Sequence, residues 1–258
     1  MSFSALGYSI INCESIDSYD ELYFQVYNCI RTAAHDLLSV NINLLEHLHQ
    51  TVPPTKINNL RVSAYNALNK GPVIDLIYSQ IKSYINNLLG PDLAVQAKVN
   101  LSIVPPHDTG STIPLHSDVN TGESTSQVVV WIPFTDCFDS NSLFIADLEG
   151  SLKLHESLPS LNRLDSPTID QYADKLLKVR YLTVRRKQIL VFSPILFHGS
   201  NTNKTDVTRV SLNVRFKNLH TEYEHTDCVG KSLGSFYKEL ATSELTKIVA
   251  QYKKPFFK

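Results

Sequence analysis

The way periodicity changes along the chain predicts an α+β fold in which a sheet, closed or sandwiched, packs against flanking helices. Three observations carry this. The first third repeats its apolar residues at helical spacing; from about residue 95 short β-branched runs alternate with turn residues; and from Lys231 to Tyr252 the period is helical again. With 258 residues, 43% hydrophobic and 19% charged, the chain can bury a substantial core. It reads as one domain: a mainly helical support (1–94), a strand-rich core (95–220) and a C-terminal helical segment (221–258).

The first helix is expected from Tyr19 to Leu38, where Leu22, Val26, Ile30, Ala33 and Leu37 form the core-facing stripe. Ser18 reads as its N-cap, with Glu21 completing a capping box. Pro53-Pro54 interrupts the pattern, because proline lacks an N–H and restricts its predecessor. A shorter helix is expected over Ile57 to Leu68. Gly71-Pro72 opens a third, striped by Val73, Ile77, Ile81, Tyr84 and Leu88 and ended by Gly90-Pro91.

Strands follow. Val99, Leu101 and Ile103 alternate with polar residues, and Gln127 to Phe134 is a β-branched and aromatic run. Ser142 to Asp147, Val179 to Val184, Gln188 to Ser193 and Val207 to Lys217 continue the series. Glu156 to Asp170, with Pro159 and Pro167, reads as a loop insertion or lid.

Composition excludes several function classes. Lys+Arg is 24 and Asp+Glu is 25, a balance that argues against a dedicated nucleic-acid binder, which needs a basic face to neutralise phosphates. No apolar stretch approaches the roughly 20 residues that span a bilayer. The N-terminus lacks a basic region and an uninterrupted apolar run, and so does not read as a signal peptide. Cys13, Cys29, Cys137 and Cys228 are scattered without CxxC spacing. The expectation is a cytoplasmic protein with reduced thiols, acting on a small molecule rather than on nucleic acid or membrane.

Most histidines suggest no site. His35 lies within the first helix, His47 and His49 have no third ligand at zinc spacing, and His155 and His220 stand alone. His116-Ser117-Asp118 is different, since residues two apart in extended backbone project to one face and offer an imidazole and a carboxylate to one ion. His198, followed by Gly199-Ser200-Asn201, reads as a strand-end third ligand. Two histidines and one carboxylate on one side of a metal make the facial triad of non-haem Fe(II) oxygenases, with three positions left open. Eleven residues beyond His198, the strand around Arg209 places Arg209, Ser211, Asn213 and Arg215 on one face. The opposite face carries Val210, Leu212, Val214 and Phe216. Arg209 suits a bidentate pair with a carboxylate, and Ser211 can add a hydrogen bond. Arg215 competes for the clamp because it shares the face. The alternative for this strand is an exposed edge with its charges in water. A second HxD, His225-Thr226-Asp227, has no histidine after it.

The motifs His116-Ser-Asp118, His198-Gly and Arg209-Val-Ser211 resemble those of Fe(II)/2-oxoglutarate-dependent dioxygenases of the phytanoyl-CoA dioxygenase-like kind. HSDVNTGESTSQVVVWIPFTDCFDSNSLFI and HGSNTNKTDVTRVSLNVRF are similar to oxygenases of bacterial carbohydrate and aminoglycoside clusters, of the streptomycin type. The resemblance covers about residues 95–220. It implies a double-stranded β-helix (jelly-roll, cupin-like) core with helices packed outside. It also implies His116, Asp118 and His198 as catalytic iron ligands, Arg209 and Ser211 as the 2-oxoglutarate site, and O2 as the oxidant. Because Asp118 is a carboxylate, the halide-binding variant of the family is not expected. The implied reaction decarboxylates 2-oxoglutarate to succinate while a C–H bond is oxidised, hydroxylation being the default outcome. The loop from Asn120 to Ser126, dense in hydrogen-bonding groups, is expected beside the open coordination positions. It suggests a polar substrate such as a sugar, nucleotide-sugar or cyclitol. Trp131 and Gln127 are expected in the pocket, with His107 and Asp108 at its entrance. Two other readings of such a barrel are a non-catalytic sugar-binding module and a cupin-type metal-dependent isomerase. A cupin-type isomerase has no reason to carry a carboxylate clamp at Arg209, and succinate formation on adding iron and 2-oxoglutarate would separate an enzyme from a binding module.

Overall fold

A computed structural model describes residues 3–158, 174–223 and 231–251. A short helix α1 (Phe3–Leu6) and strand β1 (Tyr8–Asn12) precede three helices, α2 (Ile16–Leu38), α3 (Pro54–Leu68) and α4 (Val73–Leu89). Strands β2 (Leu93–Gln96), β3 (Asn100–Val104), β4 (Ile113–His116), β5 (Gln127–Pro133) and β6 (Phe144–Ala146) follow, then helix α5 (Leu148–Ser157). Strands β7 (Val179–Tyr181), β8 (Gln188–Phe192), β9 (His198–Ser200), β10 (Arg209–Asn218) and β11 (Tyr237–Ala241) lead to α6 (Glu244–Ala250).

The strands form two antiparallel sheets. The larger runs β1-β8-β5-β10-β2-β11, with β3 also pairing β10, and the smaller runs β4-β9-β6-β7. This is a double-stranded β-helix, the fold expected, with helices against the outer face of the larger sheet. That outer face supplies Val128, Val130, Ile132, Val210, Leu212, Val214 and Phe216 to a core shared with α2, α3 and α4. Leu22, Val26 and Ile30 of α2 are fully buried there, each worth about 1.5–3 kcal/mol of apolar transfer. The Tyr19 hydroxyl donates to the Pro133 carbonyl at 2.9 Å, fastening α2 to β5. The inner faces of the two sheets enclose the lumen, where Val129, Trp131, Leu143, Ile145, Leu190 and Phe192 pack.

Several local expectations are corrected. The cap of α2 is Ser15, whose hydroxyl accepts from the Ser18 N–H at 3.2 Å, so the helix begins a turn before Ser18. Its buried stripe includes Tyr19 and Ala34, while Leu37 is exposed. On α4, Val73, Ile77 and Ile81 are buried as expected, but Ile74, Gln80 and Ile85 join them in place of Tyr84 and Leu88. The C-terminal segment is not wholly helical: β11 pairs with β2, extending the sheet beyond residue 220. β1 and β2 likewise place strands within the mainly helical first third. Part of the proposed lid forms the end of α5, and its remainder lies outside the described residues, as do His225, Asp227 and Cys228. Cys13, Cys29 and Cys137 are free thiols. Among the described residues no helix is long and apolar enough to cross a membrane.

Candidate metal centre

His116 closes β4 and His198 opens β9, and the two are direct cross-strand partners in the smaller sheet. His198 therefore begins a strand instead of ending one. A turn closed by the Leu196 N–H donating to the Ser193 carbonyl separates it from β8. Gly199 makes the close approach possible, because a Cβ there would lie 2.6 Å from the Ile113 carbonyl oxygen and 2.6 Å from the Phe144 ring. Asp118 begins a 3-10 turn, and extended backbone at Ser117 (φ −114°, ψ 137°) keeps its side chain on the side of His116. Ser117 has a part that its spacing did not reveal. Its buried hydroxyl donates to the Pro194 carbonyl at 2.8 Å, tying the HxD segment to the turn before His198. His155 supports that same turn, with Nε2 2.8 Å from the Ile195 carbonyl.

One ligand atom from each of His116, Asp118 and His198 lies within 4.8 Å of the others. The imidazole centroids are 4.4 Å apart, and His116 Nε2 is 3.6 Å from Asp118 Oδ1. Each histidine places Nδ1 2.9 Å from the carbonyl two residues before it, Pro114 and Leu196 respectively. That contact assigns the proton to Nδ1 and leaves Nε2 as a lone-pair donor. Asp118 Oδ2 is buried without a hydrogen-bond partner. Burial pushes the His198 imidazole down to about 4, so it stays neutral at ordinary pH. Burial alone would raise the Asp118 carboxyl, but His116, Arg215 and His198 together hold it well below the usual carboxylate range. For His116, burial is outweighed by Asp118 and the Pro114 carbonyl, and its affinity for a proton rises. A neutral imidazole, an ionised carboxylate and an unsatisfied buried oxygen make a donor set suited to a divalent cation.

The three residues line a cavity of about 570 Å³, within the size range of small-molecule sites. Arg209, Ser211, Asn213 and Arg215 of β10 line it from the larger sheet. β10 is hydrogen-bonded on both sides, to β5 and to β3 and β2, which rules out the exposed-edge alternative. The two arginines differ. Arg209 is 1% exposed, donates from Nη1 to the Asn141 carbonyl at 3.1 Å, and has no partner at Nε. Burial lowers its pKa, and the described ion pairs include none to it. The buried Ser211 hydroxyl also lacks a partner. Arg215 is occupied: Nη2 lies 3.0 Å from Asp118 Oδ1, Nε 3.4 Å from Glu123 Oε1 and Nη1 3.2 Å from Gln96 Oε1.

Other expectations fare differently. Trp131 lines the cavity, but Gln127 does not. Its amide donates to Glu123 Oε2 at 3.1 Å in a separate buried layer. No residue of the loop from Asn120 to Ser126 lines the cavity. Glu123, from that loop, turns inward and is 3% exposed. The polar lining comes instead from Asn58 and Arg61 of α3, Asn100 and Ser102 of β3, and Asp108. His107 is not part of it.

No protein-family model matches the sequence, and no curated protein matches it. Solved structures share the fold. SnoK, the non-heme alpha ketoglutarate dependent carbocyclase from nogalamycin biosynthesis, is 14% identical with a TM-score of 0.51, over 84% of this chain and 81% of its own. AviO1 from Streptomyces viridochromogenes Tue57 is 15% identical with a TM-score of 0.52, over 86% of this chain and 95% of its own. EvdMO1 is 14% identical with a TM-score of 0.57, over 84% of this chain and 48% of its own, so this chain spans about half of that protein. The architecture that presents His116, Asp118 and His198 to one cavity is thus the one on which SnoK, a non-heme alpha-ketoglutarate-dependent enzyme, is built.

Proposed function

We propose that the chain is a non-haem Fe(II)- and 2-oxoglutarate-dependent oxygenase acting on a small polar metabolite such as a sugar or nucleotide-sugar. One observation carries the reading. A His-Asp-His donor set and a buried arginine without a counter-charge open into the same cavity. A metal site alone suits many proteins; an uncompensated cation beside it suits one whose ligand brings a carboxylate.

In this reading His116 and His198 through Nε2, and Asp118 through its carboxylate, hold the metal. Iron, when bound, activates O2 at the expense of 2-oxoglutarate, which leaves as succinate and CO2 while a substrate C–H bond is oxidised. Arg209 pairs with the distal carboxylate of 2-oxoglutarate, and the Ser211 hydroxyl donates to it. Trp131, Leu143 and Phe192 form an apolar wall that excludes water from the site. Asn58, Arg61, Asn100, Ser102 and Asn213 line the rest of the cavity and suit a ligand that presents hydroxyls. SnoK, described as alpha ketoglutarate dependent, lends this fold the same cosubstrate.

The test adds Fe(II), 2-oxoglutarate and O2 and measures succinate above the uncoupled background. Sugars and nucleotide-sugars are expected to stimulate release; stimulation by acyl-thioesters or free amino acids alone would overturn the substrate class. Arg209→Ala is expected to weaken 2-oxoglutarate binding by about 2–5 kcal/mol, as for one side of a buried ion pair. An unchanged affinity would move the clamp to Arg215 or abolish it.

A further inference from the structure

Behind Asp118 and Arg215, which line the cavity, lies a buried layer of Glu123, Gln127 and Tyr237 that does not. Asp118 and Glu123 stand at the two ends of one turn, closed by the Glu123 N–H donating to the Asp118 carbonyl at 3.1 Å. Each is 3% exposed. The Arg215 guanidinium bridges them, at 3.0 Å from Asp118 and 3.4 Å from Glu123. Glu123 is held in turn by Lys231 Nζ at 2.7 Å, the Tyr237 hydroxyl at 3.0 Å and the Gln127 amide at 3.1 Å. Gln127 Oε1 lies beside the same Tyr237 hydroxyl, as the alternative acceptor for its one proton.

An arginine against a metal-ligating carboxylate has two opposed effects. It fixes the carboxylate's orientation, and it also competes for the oxygen lone pairs and repels a divalent cation. With Asp118 as its only anion, Arg215 would spend its charge on the ligand itself. A second carboxylate on the far side draws the guanidinium between the two and neutralises it.

We propose that Glu123 is a positioning residue for the metal centre: by engaging Arg215 it supplies the counter-charge that leaves Asp118 available to a divalent cation. The proposal rests on reading His116, Asp118 and His198 as metal ligands. Through Tyr237, which holds Glu123 without adding charge, it also makes β11 part of the metal site's support, although Tyr237 does not line the cavity, whereas Lys231 competes with Arg215 for Glu123.

The experiment titrates Co(II) into the full chain without O2 and reads the visible absorption of the bound metal, so that no turnover is needed. Glu123→Gln keeps the shape and hydrogen-bonding capacity but removes the charge, and is expected to weaken Co(II) binding about 10–100-fold. Adding Arg215→Gln to that variant removes the uncompensated cation and is expected to restore most of the affinity. Unchanged binding in Glu123→Gln overturns the proposal. So does a double variant that binds no better than the single one, the result of a purely structural role. If Glu123→Gln does not fold, Lys231→Met carries the test. Arg215 is then the one cation left paired with Glu123 among the described ion pairs, and Co(II) is expected to bind roughly 2–5-fold tighter; equal or weaker binding overturns the proposal. If the unaltered chain binds no Co(II), or binds it without regard to His116→Ala and His198→Ala, the metal reading falls instead.

Discussion

Arg209 and Arg215 leave the same face of β10 six residues apart, roughly 20 Å along the strand, and meet different surroundings. At one end Arg209 is buried against a backbone carbonyl, with Nε unpartnered and the Ser211 hydroxyl nearby on the same face also unsatisfied. At the other end Arg215 lies between Asp118 and Glu123. Strand periodicity places both in the lumen, but segments far away in sequence decide whether each finds an anion. One charge is balanced within the protein; the other is left without a described counter-charge, and in the function proposed above a ligand's carboxylate would supply it.

The largest effect that would sharpen this contrast is on stability. Arg215→Ala leaves the buried Asp118 without its arginine and Glu123 with Lys231 as its remaining ion pair, and is expected to cost about 3–5 kcal/mol in urea unfolding. A loss below about 1 kcal/mol would mean that the bridge contributes little. Arg209→Met should behave oppositely, since it leaves no carboxylate behind. Stability of the ligand-free chain is expected to be unchanged or raised by about 1 kcal/mol, and the stabilisation conferred by 2-oxoglutarate should vanish. A loss as large as that of Arg215→Ala would break the comparison and make Arg209 a structural residue. Ser211→Ala is the smallest change. With no protein partner to lose at Oγ, it should leave the melting temperature alone and weaken 2-oxoglutarate binding by about 1 kcal/mol.

Much of this arrangement was legible in the sequence because it follows from local rules. The alternation of β10 separates Arg209, Ser211, Asn213 and Arg215 from Val210, Leu212, Val214 and Phe216 before any partner is known. The amphipathic period marks α2 and α4. The convergence of His116, Asp118 and His198 was suggested by residue type and order, although the local detail differs, with Asp118 on a 3-10 turn and His198 at a strand start. What escaped notice depends on pairing. β11, Tyr237–Ala241, carries Lys, Glu, Leu and Ala, all good helix formers, and becomes a strand by pairing with β2. β1 is a five-residue edge strand beside a helix. Helix α5 left a signal that could have been used, since Asp147 precedes it and accepts from the Gly150 N–H at 3.2 Å. Glu123 sits in a polar loop, and nothing in its neighbours tells that it faces inward to Arg215.

The pairing of β1 with β8 has a consequence for how the chain comes to be folded. Tyr8 lies opposite Phe192 and Asn12 opposite Gln188, so the strand must wait for a partner about 180 residues downstream in order of synthesis. β2 waits in the same way for β10 and β11. Helices α2, α3 and α4 can gather early through contacts between near neighbours in sequence, whereas the larger sheet closes only after β8 and β10 have been made. The rate of folding should therefore be governed by these long loop closures, with the cavity and its histidines assembled among the last features to appear.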